Sequence, residues 1–463
     1  MARTQKTITP IDGSVYVERE LASAAAIAAC LSAARKAAAG WRRVPVAERA
    51  AIVARATDAF VARKAEIAEE ITRQIGRPIG QSPGEVRGFE ERARYMTAIA
   101  ADSLADVRVG EKPGFTRFIR RDPLGVVFVV APWNYPYLTA VNAVIPALLA
   151  GNAVILKHSA QTPLCAERFA EAFKAAGLPR AVFQFLHMGH EDTTRLIGSD
   201  GVDFVAFTGS VEGGHAVVAA ASQRFIGAGL ELGGCDPAYV RPDANLAHAV
   251  ENLVDGAFFN SGQSCCGIQR IYVHADLYKP FLDGVVELTK QYRLGDPTDP
   301  QSNLGPVVRA SAAETIRKQI ARAVRAGAKA LIDAKPFKAA RKGTAYVAPQ
   351  VLAVNSNRNP VMQEECFGPV VGIMKVRSDD EAVRLMNDNA FGLTAAVWTA
   401  DEAAATRIGD RIETGTWFMN RCDYLDPALA WTGVKDSGRG CTLSRVGYEH
   451  LTRPKSFHLR TAL

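Results

Sequence analysis

Between Val126 and Ser210 the chain alternates strand-length apolar runs with helix-length segments, and this alternation limits the available folds more than any other feature. Val126–Val130 is a continuous apolar run, followed by Ala131-Pro132-Trp133-Asn134-Tyr135-Pro136. An apolar helix is expected over Ala140–Ala150, then Gly151-Asn152, then a buried strand Ala153–Leu156 ending in Lys157. A helix over Leu164–Ala176, a strand at Val182–Leu186 and another at Phe204–Phe207 follow, the last running into Thr208-Gly209-Ser210. Strands and helices in this order predict a parallel sheet covered on both faces. Ligands of such sheets bind at the carboxyl ends of the strands. Asn134, Lys157 and Ser210 all fall there. Each reads by itself as an ordinary loop residue; three together point to a ligand site. No G-x-G-x-x-G follows any strand, since Gly227-Ala228-Gly229 is continued by Leu232 at the third glycine position. A nucleotide would then rest on Lys157 and on backbone N–H groups at the helix start after Gly209-Ser210.

The flanking regions are simpler. Helices are expected from about Ala22 to Ala105, interrupted by the helix stop Gly76-Arg77-Pro78. Phe118–Arg121 reads as a short strand ended at Pro123. A second α/β stretch runs from Pro237 to about Trp417, with strands at Ala238–Val240, Ile271–Val273, Val351–Val354 and Val370–Met374 and an amphipathic helix over Ala313–Ala326. Lys455–Leu463 reads as a terminal strand used in assembly. A chain of 463 residues needs two or three domains.

Several classes of function are disfavoured. The net charge of +7 is spread thinly, without a block of five like charges, which argues against a nucleic-acid partner. The apolar stretch Tyr137–Leu156 contains Asn142, Pro146, Gly151 and Asn152, so it reads as a core helix plus strand, not a membrane span. The eight cysteines include no C-x-x-C, so no metal site is expected. Free thiols, and the lack of an apolar run in Met1–Pro10, lead to the expectation of a cytoplasmic protein.

The chemistry concentrates in Asn260–Gly267, N-S-G-Q-S-C-C-G. A Gly-containing bend lets backbone N–H groups approach a sulfur and any oxygen developing beside it, which suits Cys265 as a nucleophile. A pair of small buried hydrophobes is the alternative. Glu231, before Leu232-Gly233-Gly234, is either a general base with a raised pKa or a solvated glutamate at a turn. Glu364 and Glu365 are adjacent in an extended segment and so point to opposite sides; one of them could bind a ligand hydroxyl.

The segments Ala131–Pro136, Gly151–Lys157, Phe207–Ser210, Glu231–Gly234, Gly262–Cys266, Glu364–Pro369 and Ser437-Gly438 occur in the order found in the NAD(P)-dependent aldehyde dehydrogenase superfamily, which the chain resembles along almost its whole length. Cys265 also follows Glu231 at a spacing typical of that family. The resemblance implies that Cys265 attacks the aldehyde carbon and that the Asn134 side chain and the Cys265 backbone N–H form the oxyanion hole. It implies that Glu231 activates the water that releases the acid. Lys157 and Glu365 would hold the two riboses of NAD or NADP and Ser210 the pyrophosphate, with Trp133 and Phe367 packed around the cofactor. Cys266 would be a neighbour and not a second nucleophile. The implied fold is α/β, with a Rossmann-like cofactor domain (1–104 and 124–235, with 437–451 returning to it), an α/β catalytic domain (236–436) and a small oligomerisation extension (105–123 and 452–463). A homodimer or homotetramer follows from the same resemblance.

The chain departs from the family at four places. Lys-Pro-Ser-Glu is here Lys157-His158-Ser159-Ala160. In NAD-preferring members that glutamate repels a 2′-phosphate, so Ala160 leads us to expect that NADP is accepted. Gly-Gly-Lys is here Gly233-Gly234-Cys235, a change without a physical account at this level. Pro-Phe-Gly-Gly is here Ala430-Trp431-Thr432-Gly433, which puts Trp431 in the substrate funnel with Tyr135, Leu425 and Ser264. That funnel reads as aromatic and apolar, favouring an apolar aliphatic or aromatic aldehyde. Succinic semialdehyde dehydrogenases commonly carry an arginine where Asn142 sits, which disfavours a semialdehyde. A CoA-acylating relative is disfavoured by the presence of Glu231. A catalytically silent relative is disfavoured because Cys265, Glu231 and Asn134 are all present.

Overall fold

A computed structural model describes residues 3–462. Two open sheets dominate it. The first has six strands in the order Gly438–Arg439, Gly227–Glu231, Phe204–Thr208, Val126–Ala131, Ala153–His158 and Phe183–Phe185. All pairings are parallel except that of Gly438–Arg439, which runs antiparallel to Gly227–Glu231 at the edge. The central strands Val126–Ala131 and Ala153–His158 are buried at every position, as strands covered on both faces must be. One face packs against the helices Val46–Val61, Pro83–Ser103, Pro136–Leu149 and Pro163–Ala175 through Phe60, Phe89, Leu148 and Phe169. The other face packs against the helices Ala24–Trp41 and Val211–Ala221 through Ala34, Phe128 and Val217.

The second sheet has seven strands in the order Lys329–Ala330, Gln350–Val354, Val370–Val376, Ile268–His274, Asp236–Val240, Thr394–Trp398 and Thr416–Met419. It is parallel except at the Lys329–Ala330 edge. Only Leu232-Gly233-Gly234-Cys235 separates the last residue of Gly227–Glu231 from the first of Asp236–Val240, so four residues join the two sheets.

A third, antiparallel sheet joins Val107–Arg108, Phe115–Pro123 and Thr452–Arg460, with Phe118 stacked on Phe457 at 4.6 Å. The long strand starts three residues before the expected Phe118, and the tail strand three residues before the expected Lys455, because the two pair continuously from Phe115↔Arg460 to Pro123↔Thr452. Leu463 of that expected tail lies outside the described residues.

Other differences have local causes. The helix expected over Ala140–Ala150 begins at Pro136, a residue whose fixed φ and missing N–H suit the first helical position. The hairpin Thr4–Ile8 and Val15–Glu20 escaped the sequence reading because its strands are polar and mostly exposed. Gly76 ends the helix Lys64–Ile75 in the left-handed region at φ 80°, with its N–H on the Thr72 carbonyl at 2.8 Å. Among the described residues no helix is long and apolar enough to cross a membrane.

Candidate active site

The junction between the two sheets carries the reactive groups. The helix Leu246–Phe258 ends in Phe259–Gly262, where Asn260 (φ 52°) and Ser261 (φ 56°) are left-handed without being glycine. Side chains hold this unfavourable backbone in place. Asn260 Oδ1 accepts from Arg77 Nε at 3.0 Å, and its Nδ2 donates to the Asn134 carbonyl at 3.2 Å. Ser261 Oγ donates to the Gly305 carbonyl at 2.9 Å. Gln263 Oε1 accepts from Val308 N at 2.7 Å. Gly262 (φ 70°) lies so close to Gly368 that a Cβ would meet its carbonyl oxygen at 2.1 Å.

Arg77 and Glu85 lock Asn134 to this loop. They form an ion pair of 2.6 Å with side chains 1% and 0% exposed. Arg77 also donates to the Asn134 carbonyl and lies over the Tyr135 ring at 4.6 Å. The second oxygen of Glu85 accepts from Tyr137 N and Leu138 N, at 2.8 and 2.9 Å, at the start of the helix Pro136–Leu149. Asn134, itself buried, directs Nδ2 to the Gln263 carbonyl at 3.2 Å. The sequence reading missed Arg77 and Glu85. Gly76-Arg77-Pro78 was legible only as a helix stop, and Glu85 sits among many helical glutamates.

Cys265 is half-exposed and faces a cavity of about 950 Å³, whose walls include Glu231, Tyr135, Leu425, Trp431 and Arg92. Burial pushes the Glu231 carboxyl up, against the pull of hydrogen bonds from Thr442 and Thr208. Thr442 Oγ1 donates to its Oε1 at 2.6 Å and Thr208 Oγ1 to its Oε2 at 3.1 Å. The returning segment braces it: Gly438 pairs with Glu231, and Ser437 Oγ donates to the Gly233 carbonyl at 2.7 Å.

The neighbouring thiol is more deeply enclosed. Cys266 is buried, and a hydrogen bond with Cys265 together with burial raises its pKa well above the usual thiol range. Its Sγ donates to Asp423 Oδ1 at 2.9 Å. Ser264, expected in the funnel wall, is instead 2% exposed. Its hydroxyl is turned away to donate to the same Asp423 oxygen, at 3.0 Å.

The residues expected around a cofactor come from both sheets: Trp133, Lys157 and Ser210 lie at the ends of strands of the first, and Glu365 and Phe367 precede the strand Val370–Val376 of the second. Lys157 is buried at the end of Ala153–His158, which lowers its pKa, and it forms no ion pair among the described residues. Ser210 caps the helix Val211–Ala221, its Oγ accepting from Gly213 N at 3.1 Å. Trp133 and Phe367 meet edge to face at 5.6 Å. Glu365 is pushed up to about 7 by burial, and its Oε1 accepts from Gly234 N at 3.1 Å. Glu364 points the other way, into an exposed pair with Arg322, so the two adjacent carboxylates diverge. Ala160 is exposed in the turn after Ala153–His158. Next to it, His158 is pushed down to about 4 by burial, with Nε2 on the Pro136 carbonyl at 3.0 Å and Nδ1 accepting from Ser159 N at 3.0 Å.

Gly233 and Gly234 are required by close approach. A Cβ on Gly233 would meet the Glu365 carboxylate at 2.5 Å, and one on Gly234 the Cys265 carbonyl oxygen at 2.4 Å. Cys235 is buried, and burial first of all pushes its thiol up to about 12, so it acts as a small apolar filler. Among the described residues no cluster of His, Cys, Asp or Glu could hold a metal ion. The arrangement therefore offers a thiol, a desolvated carboxylate and a cysteine-loop backbone in one cavity, which is the equipment for covalent acyl chemistry followed by hydrolysis.

Comparison with known proteins agrees with this chemistry. The chain matches the aldehyde dehydrogenase family over residues 1–457. It is 34% identical over 456 residues to the succinate-semialdehyde dehydrogenase [NADP(+)] of Mycobacterium avium, covering 97% of this chain and 95% of that one. Among solved structures it is similar to the succinic semialdehyde dehydrogenase of Streptococcus pyogenes in complex with NADP+, at 27% identity and a TM-score of 0.94, covering 98% of this chain and 100% of that one. It is similar also to PnpE from Pseudomonas sp. WBC-3, at 30% identity and a TM-score of 0.94, covering 100% and 95% of the two chains.

Proposed function

The chain belongs to the aldehyde dehydrogenase family, and from that premise we propose how its residues divide the oxidation of an aldehyde to a carboxylic acid. The observation that carries the reading is that Cys265 and Glu231 face one cavity at the bridge between the sheets. Cys265 Sγ adds to the aldehyde carbon, giving a thiohemiacetal. The oxygen of that adduct is held by the Cys265 backbone N–H and by Asn134 Nδ2, which turns from the Gln263 carbonyl to reach it. Oxidation leaves a thioester on Cys265. Glu231 then takes a proton from water, and the attack of that water on the thioester releases the acid and restores the thiol. A second carboxylate-independent route, transfer of the acyl group to CoA, is not favoured, because a desolvated base stands in the cavity.

The cofactor residues fit NAD(P). Among the described residues Lys157 is an unpaired ammonium at a strand end, Ser210 opens a helix whose N-terminus suits an anion, and Glu365 offers a half-buried carboxylate for ribose hydroxyls. The bound nicotinamide supplies the acceptor for the hydride lost from the thiohemiacetal. Trp133 and Phe367 shield that region from water. We assign cofactor binding to residues 1–104 and 124–235 with 437–451, and the reactive thiol to 236–436. Ala160 places no carboxylate near an adenosine 2′-phosphate, and a relative is named as NADP(+)-dependent, so NADP+ is accepted. Eight free cysteines suit a reducing, cytoplasmic setting.

The test is reduced-cofactor absorbance with purified protein over a panel of aldehydes, with NAD+ and NADP+ in parallel. Turnover that depends on Cys265 supports the assignment; a complete lack of turnover with every pair, or none with NADP+, overturns the corresponding part. Asn134→Ala is expected to lower kcat by about 10²–10³-fold, the usual cost of one oxyanion donor. Loss of less than fivefold would remove Asn134 from that role.

Assembly as a homodimer or homotetramer is supported by the exposed edge strand Thr452–Arg460, which among the described residues pairs on one side only and leaves an edge that suits pairing with a second copy. Light scattering at micromolar concentration is expected to give at least twice the chain mass. A monomer there would count against this interface.

A further inference from the structure

Among the charged side chains that line the cavity, Arg92 is a buried one that the proposed mechanism does not use. Arg92 projects from the helix Pro83–Ser103 and is only 7% exposed. Its Nη1 donates to the Leu138 carbonyl at 2.7 Å and to Asn142 Oδ1 at 3.2 Å. Among the described residues, Nε and Nη2 make no hydrogen bond, and no carboxylate lies within ion-pair distance of the guanidinium. The carboxylates nearby are committed elsewhere. Glu85 pairs with Arg77, Glu91 accepts from Tyr424, Asp423 accepts from Ser264 and Cys266, and Glu231 accepts from Thr208 and Thr442.

Glu85, Glu231 and Glu91 act on the guanidinium only at longer range. A buried cation that no carboxylate contacts is costly, and an arginine presents a fork that matches a carboxylate with two parallel hydrogen bonds. We propose that Arg92 anchors an anionic group at the far end of the substrate, so that the aldehyde this cavity takes best carries a carboxylate of its own. Position 142 is an asparagine, and the guanidinium arrives at its side chain from a different helix, which no inspection of residue 142 alone would reveal. The apolar walls Leu425 and Trp431 then accommodate the short methylene chain between the two ends. This inference rests on Cys265 and Glu231 performing the chemistry as proposed.

The experiment compares succinate semialdehyde with butanal, a four-carbon aldehyde without the carboxylate, in the wild-type protein and in Arg92→Gln and Arg92→Lys. In the wild type, kcat/KM for the semialdehyde is expected to exceed that for butanal by at least tenfold. In Arg92→Gln that ratio is expected to fall by about a hundredfold, with the loss in KM for the semialdehyde. Arg92→Lys, which keeps the charge but not the fork, is expected to fall between. A wild type that prefers butanal overturns the proposal. So does a variant that loses both substrates equally with a displaced pH profile, since Arg92 would then serve Glu231, whose pKa its charge lowers. Succinate itself gives a readout without turnover: it is expected to raise the melting temperature of the wild type and not that of Arg92→Gln. Should no aldehyde be oxidised, the proposed function fails, while protection by succinate still decides whether Arg92 binds a carboxylate.

Discussion

Replacing Cys265 with alanine is expected to lower aldehyde oxidation at least ~10⁴-fold and to abolish any burst of reduced cofactor, because it removes the thiol proposed to form the covalent adduct. Cys266 offers no rescue. Its thiol is held in the protonated state by burial and by its contacts with Cys265, and its hydrogen points at Asp423. The substitution removes one half-exposed sulfur and leaves the bonds of Asn260 and Gln263 intact, so the loop keeps its shape. Stopped-flow absorbance measures the burst, and quenching of protein fluorescence by NADP+ checks that cofactor binding survives. A burst of normal amplitude in Cys265→Ala would place the nucleophile elsewhere.

Glu231→Gln should separate the two halves of the reaction. The first half needs only the thiol, so one equivalent of reduced cofactor per site is expected to form. The second half needs a base, and steady-state turnover is expected to fall about 10²–10⁴-fold. The pH dependence has a definite sign. Burial raises the pKa of Glu231, with the bonds from Thr442 and Thr208 opposing in part. The group is protonated and inactive below its pKa and ionised above it, so kcat in the wild type rises as pH increases through a point above the ordinary glutamate value. That limb is expected to vanish in the glutamine variant. A variant that loses burst and turnover together would mean that Glu231 acts before the thioester forms.

The parts of this protein that were legible in its sequence are those dictated by local chemistry. Val126–Val130 and Ala153–Leu156 announce buried parallel strands because every position is apolar, and Gly76 stops a helix because only a left-handed residue serves there. Asn134 stood out at a strand end, Cys265 in a Gly-containing bend and Glu231 before two glycines, and the roles expected of them came from the resemblance to the family. What escaped is what depends on contacts far apart in the chain. Arg77 reaches Asn134 and Asn260 across 57 and 183 positions, and nothing near Gly76-Arg77-Pro78 signals it. Ser264 looked like a funnel residue by position, yet Asp423 turns it inward. The cavity wall read as apolar from Tyr135, Leu425 and Trp431 alone, whereas the helix Pro83–Ser103 adds the guanidinium of Arg92.

The bridge Leu232-Gly233-Gly234-Cys235 has a consequence for how this chain can change over generations. At its centre two positions are closed to drift: any side chain on Gly233 displaces Glu365, and any on Gly234 displaces the backbone that carries Cys265. Their neighbour Cys235 is under a looser demand, to be small and buried. The helix bearing Arg92 stands outside the bridge altogether. On the role proposed for Arg92, a lineage can therefore retune which aldehydes it accepts at that position, while Glu85 on the same helix is inherited with the reactive centre that it helps to hold.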